Sequence, residues 1–229
     1  MVTRLLPGNP PVPLLLRRSA RARRISLRVS ALDGRVTLTL PRHASEAEAL
    51  RFAEEKGDWL RRHLDRRPEE VRLAHGASLP LEGRETRLVA GRGRAVMLEG
   101  ATLAVPGDPE GAGPRLRGWL KARARDRLVE ACDRHAARLG QGYDRITLRD
   151  TRSRWGSCSS TGGLSFSWRL IMAPPEILDY VAAHEVAHLA EMNHSPAFWR
   201  VVERLYGPHR EARSWLRQEG PALHRYRFD

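Results

Sequence analysis

The residues best equipped for chemistry lie in one short run, His184-Glu185-Val186-Ala187-His188-Leu189-Ala190-Glu191-Met192-Asn193-His194. Histidines four apart share one face of a helix, so both imidazoles can reach a single ion, and Glu185 follows the first of them round to meet a bound water. That is the equipment of a hydrolytic zinc centre. Two imidazoles and a carboxylate on an otherwise apolar helix are polar groups needing partners, and one Zn2+ ion satisfies them together. Zinc lowers the pKa of its water toward ~7, and Glu185 takes the proton as the hydroxide attacks a peptide carbonyl or a phosphoryl centre. His194 is the expected third ligand, with Glu203 on the following helix as the competitor; either choice leaves a fourth position for water. Cys158 is set aside as a nucleophile and read as a packing or loop-shaping residue.

The elements that must position these groups follow from pattern. Pro174 and Pro175 suit a first helical turn, and apolar residues from Ile177 to Ala190 predict a buried helix running to about Met192. Asn193 ends it, Ser195 caps the next helix with Pro196 at its first position, and His194 sits in the corner between them. Upstream, Arg145–Arg149 and Leu164–Trp168 read as two strands, antiparallel if the loop between them is a hairpin. That loop and the second strand are expected to form the wall along which an extended substrate lies, with Arg154, Trp155, Ser167 and Trp168 as candidate contacts. A long amphipathic helix is predicted over 115–139, stopped by Gly140, with Cys132 as core filler and His135 outside the site.

The remainder reads as an α+β chain of two parts. Residues 1–13 look like an extended arm and Leu14–Leu16 like an edge strand. Alternation over 23–30 and 35–41 about Asp33-Gly34 predicts a β-hairpin, and Ser45 with Glu48 caps a helix whose stripe includes Phe52, Trp59 and Leu64. Alternating runs between 78 and 105 add antiparallel strands. The segment Pro106–Pro114, dense in glycine and proline, is the expected boundary between an N-terminal antiparallel β-rich domain, 1–108, and a mainly helical zinc domain with a short sheet, 113–229.

Composition narrows the class. The 229 residues are enough to bury a core without staples, and Cys132 and Cys158 form no CxxC pair. The longest apolar run near the N-terminus, Val12-Pro13-Leu14-Leu15-Leu16, is too short for a signal or membrane segment, so a cytoplasmic protein with no membrane partner is expected. A net charge of +13 invites a nucleic-acid reading. Only Lys56 and Lys121 are lysines, however, and an arginine-rich, alanine-rich chain fits GC-rich coding as well as phosphate binding.

Arg154-Trp-Gly-Ser-Cys-Ser159, the strand ending Ser167-Trp-Arg-Leu, Asp179–Leu189 and Asn193–Trp199 together resemble the bacterial YgjP-like metal-dependent hydrolases of the zincin clan. The N-terminal Val-Thr-Leu-Thr-Leu-Pro run and Lys56-Gly-Asp-Trp59 fit as well. The resemblance implies a zincin-like fold, with His184, His188 and His194 as ligands and Glu185 as base; where the family usually carries asparagine, this chain has Ser167. It leaves the substrate open between a peptide and, as described for one branch, a nucleoside triphosphate such as UTP cleaved as by a pyrophosphatase, for which Arg149, Arg152 and Arg154 would meet phosphates. A metallopeptidase is the expected function. From another class, a basic nucleic-acid-associated protein using the same fold is the less favoured alternative.

Overall fold

The computed structural model describes residues 2–30, 34–65 and 69–229. The chain forms two compact units, Met1–Glu69 and Glu70–Asp229. The division therefore falls well before the expected boundary at 106–114. That segment is the end of a strand running into a helix: Asp108 accepts from the backbone N–H of Gly111 as N-cap, and Pro109 occupies the first turn, where its missing donor costs nothing. Its prolines and glycines mark a helix start, which composition alone does not distinguish from a linker.

In the first unit, strands β1 (Val2–Leu6), β2 (Val12–Arg18), β3 (Ser26–Val29) and β4 (Val36–Leu40) form a sheet in the order β1-β2-β4-β3. The β3–β4 pair is antiparallel as expected, although Asp33 lies outside the described residues. Two expectations are corrected. The arm is strand β1, paired antiparallel with β2, and β2 is an interior strand parallel to β4. Val36, Leu38 and Leu40 point inward against Ala49, Ala53 and Leu60. Those last three come from helices α1 (Glu46–Glu55) and α2 (Gly57–Asp65), which replace the single predicted helix; Ser45 Oγ caps α1 by accepting from Glu48 N at 3.1 Å. Trp59, assigned to the buried stripe, is exposed and stacked on His63.

The second unit carries the site. Strands β5 (Val71–Arg72), β6 (Ser78–Leu81), β7 (Arg84–Gly91), β8 (Met97–Glu99) and β9 (Thr102–Pro106) precede the long helix α3 (Pro109–Leu139), which ends on Gly140 in the left-handed conformation, φ 77°. The β6-β7-β9-β8 sheet is mixed, because β7 and β9 pair in parallel. Leu116, Leu120, Ala124, Leu128 and Cys132 make the buried stripe of α3. Against it pack β10 (Ile146–Arg149), β11 (Gly156–Cys158), β12 (Leu164–Ser167) and helix α4 (Pro175–Ala187), followed by α5 (Pro196–Leu205), α6 (Arg210–Gln218) and β13 (Tyr226–Arg227), which pairs with β5. The fold is α+β. Among the described residues no helix is long and apolar enough to cross a membrane.

Candidate metal centre

Helix α4 is buried on nearly every side, and it ends sooner than expected: His188 is its C-cap, and tighter turns carry the chain on to Glu191. This early stop lets the chain double back. Asn193 Oδ1 accepts from Ser195 N at 3.0 Å, and Ser195 Oγ caps α5 by accepting from Phe198 N at 3.3 Å. The corner so fixed brings His194 Nε2 to 3.1 Å from His184 Nε2, and one ligand nitrogen from each of His184, His188 and His194 lies within 4.8 Å of the others. Phe198 forms the floor, its ring centroid 4.9, 4.4 and 4.8 Å from those of the three imidazoles in that order.

The electrostatics suit a cation. Burial, reinforced by His188 and His194, pushes His184 down to about 3, and burial also lowers His188. Both are neutral near pH 7 and keep a lone pair for a metal. His188 Nδ1 lies 2.9 Å from the carbonyl of Glu191, to which it donates, so the free lone pair belongs to Nε2. Tyr180 OH, one turn before His184, is 3.4 Å from that residue's Nδ1. Zinc–nitrogen bonds of roughly 2.0–2.1 Å ask for donors about this close together. The donor set therefore fits the metal that the spacing implies.

Glu185 is almost fully buried, and burial pushes its carboxyl up to about 8 against the opposing pull of Arg154. Its neighbour explains a glycine. A Cβ on Gly156 would sit 2.5 Å from Glu185 Oε1, so the Trp-Gly-Ser element is the place where a strand without a side chain meets the carboxylate. A cavity of about 390 Å³ opens over the pair, lined by Arg154, Trp155, Tyr180, His184, Glu185 and Arg213 among others.

The model of the YgjP-like metallopeptidase domain matches residues 23–219. The chain belongs to the YgjP-like metallopeptidase family. Among curated proteins none matches this YgjP-like chain. Among solved structures it is similar to the metallopeptidase zymogen abylysin of Pyrococcus abyssi, at 22% identity over 40% of this chain and 95% of that one, with a TM-score of 0.36. Family membership supports a metal-dependent hydrolase.

The remaining predicted site residues of this YgjP-like protein divide. Arg154 and Trp155 line the cavity over Glu185, with the Trp155 ring against the backbone of Gly220. Ser167 and Trp168 do not reach it. Both are completely buried, because strand β12 is the middle strand of the order β10-β12-β11 and turns its end into the core. The expected hairpin is corrected at the same point: β10 and β12 are parallel, and β11, hidden in the intervening loop, pairs antiparallel with β12 on its other side. The strand edge beside the centre is thus β11, not β12. Glu203 is exposed and outside the histidine cluster, and His135 is bonded to Asp179 at 2.8 Å on another face of α4. Cys158 is half-buried, its thiol raised by burial and by Glu185, as befits a residue that stays protonated. Three participants were not singled out from the sequence: Tyr180, Phe198 and Gly156. The first shares the four-residue spacing that identified the histidines, and that was its available signal.

Proposed function

We propose that this protein is a zinc-dependent peptidase in which His184, His188 and His194 hold the ion and Glu185 carries the proton. The observation behind this reading is the convergence of three imidazole nitrogens beside one buried carboxyl, at a sheet edge able to take an extended chain. When bound, zinc supplies Lewis acidity, bringing the pKa of water toward ~7 and polarising the carbonyl.

The chain's own groups do the rest. Backbone N–H and C=O groups of β11 pair with the substrate and fix the scissile amide in place. Glu185 accepts a proton from the attacking water and returns it to the amide nitrogen, so that a C–O bond forms as the C–N bond breaks and a carboxylate and an amine leave. To accept that proton Glu185 must be ionised; burial opposes this, while Arg154 and a cation held by the histidines favour it. Two free thiols suit a reducing compartment, and we place the enzyme in the cytoplasm.

The test combines metal analysis with a Glu185→Gln variant. Purified protein is expected to carry stoichiometric zinc that His184→Ala and His188→Ala lose. Glu185→Gln should keep the metal and lose roughly 10²–10⁴-fold in peptide cleavage. Zinc retained by both histidine variants would sink the ligand assignment. Release of pyrophosphate from UTP that vanishes in Glu185→Gln, with no peptide cleaved, would move the assignment to phosphoanhydride hydrolysis. Salt-sensitive DNA binding untouched by the same substitution would favour a nucleic-acid role.

A further inference from the structure

The three-stranded sheet has two unlike faces. On one, Ile146, Leu164 and Phe166 are buried in the core. On the other, the register puts Thr147 opposite Ser165 and Ser165 opposite Ser157, a row of hydroxyls running across β10, β12 and β11. This outer face floors a cavity of about 500 Å³, which Arg145, Arg149 and Arg154 also line and to which no carboxylate contributes.

In a chain so rich in arginine three nearby copies say little by themselves, and what marks this face is their setting beside a hydroxyl row with no carboxylate in the lining. Several arginines elsewhere in this unit meet acids: Arg123 and Arg127 bind Glu82, Arg134 binds Asp179, and Arg169 binds Asp150. Around this cavity two of the three do not. Among the described residues Arg149 and Arg154 form no ion pair, and Arg145 lies 3.8 Å from Asp144 with both side chains mostly in solvent. Arg149 and Arg154, with no carboxylate in the cavity lining and a hydroxyl row beside them, keep guanidinium donors for an anion, and Arg145 adds positive charge at the rim.

Its position says which anion. Arg154 and Gly156 line both this cavity and the one over Glu185, so the two adjoin at β11. Successive side chains of an extended peptide on that edge point alternately to the two faces of the sheet. Every second one would therefore face this cavity, where Arg154 lies beside β11 and Arg145 and Arg149 line the far side from β10. Resting on the peptidase reading, we propose that the outer face of the β10-β12-β11 sheet is a substrate subsite for carboxylate side chains, and that the preferred substrates are acidic peptides with Asp or Glu at alternate positions about the cleaved bond.

The test uses zinc-loaded full-length protein and matched peptides differing only by Glu or Gln at those positions. Wild type is expected to favour the Glu peptide in kcat/KM by about tenfold or more, in a salt-sensitive way, and Arg149→Gln and Arg145→Gln should bring the ratio toward one. Equal cleavage of both peptides would overturn the subsite and leave the peptidase intact. Should no peptide be cleaved, labelled Glu and Gln peptides are titrated into the Glu185→Gln variant by fluorescence anisotropy. Tighter binding of the Glu peptide that the Arg149→Gln change abolishes would uphold the subsite without the activity. Equal binding, or ready displacement of the Glu peptide by UTP, would overturn it.

Discussion

At the residue scale the centre rests on three groups kept neutral by burial, and their titration has a sign that can be checked. Burial takes Glu185 from an ordinary 4.5 up to about 8, so the folded chain without metal favours the protonated acid. That preference is fully present below pH 4.5. It is lost as pH rises through the folded value, because the unfolded chain ionises freely and the folded one does so at a cost. Metal-stripped wild type should therefore lose stability between about pH 5 and 8 relative to Glu185→Gln, by on the order of a few kcal/mol. His184, pushed from 6.5 to about 3, destabilises both proteins alike as pH falls below 6.5 and cancels in the comparison. Thermal melts of the two stripped proteins across that range give the answer, and parallel curves would show that the carboxyl is not desolvated. Gly156 supplies a steric counterpart. A methyl group there would lie 2.5 Å from Glu185 Oε1, so Gly156→Ala must displace the carboxylate or the strand. A roughly 10²-fold loss of kcat with zinc content unchanged is expected, and near-normal kcat would mean that the strand gives way without consequence.

Among the elements, those with strong periodicity or cap chemistry were legible and those without were not. The four-residue histidine spacing, the Ser195-Pro196 start of α5 and the Gly140 end of α3 depend on local rules, and the structure has them as expected. Strand β11 is three residues of Gly-Ser-Cys, with no alternation to read, and it exists because β12 pairs with it. Missing it turned a three-stranded mixed sheet into a hairpin and moved the substrate edge to β12. The parallel β2–β4 and β7–β9 pairs failed for a related reason, since alternation reveals which residues face inward and is silent on strand direction. The corner holding His194 is the element whose local chemistry bears most directly on the site. Ser195→Ala removes the acceptor for Phe198 N and should cost about 1 kcal/mol of stability. Because the cap also fixes the turn of His194, zinc affinity should fall by more than the stability loss alone would give. Competition with a chelator measures this, and an unchanged affinity would separate the cap from the ligand.

At the scale of the whole molecule, each unit has its own core, and every residue of the centre belongs to the second. Leu14, Leu38, Leu40 and Leu60 are buried among partners from the first unit, whereas His184, His188 and His194 lie on elements packed around α3 and Phe198. A ligand that binds only the folded form adds RT ln(1 + [L]/Kd), about 4.1 kcal/mol at a thousandfold excess over Kd. That stabilisation should reach the unit that supplies the ligands. Chelation is thus expected to speed amide exchange in α4 and α5 while leaving β2 and β4 of the first unit at their metal-loaded rates. Small domains bury proportionately less of their surface, so the first unit should also be the less stable of the two when the metal is bound. Hydrogen exchange with and without chelator tests both statements, and an equal loss of protection in β4 and α4 would show that the two cores unfold as one.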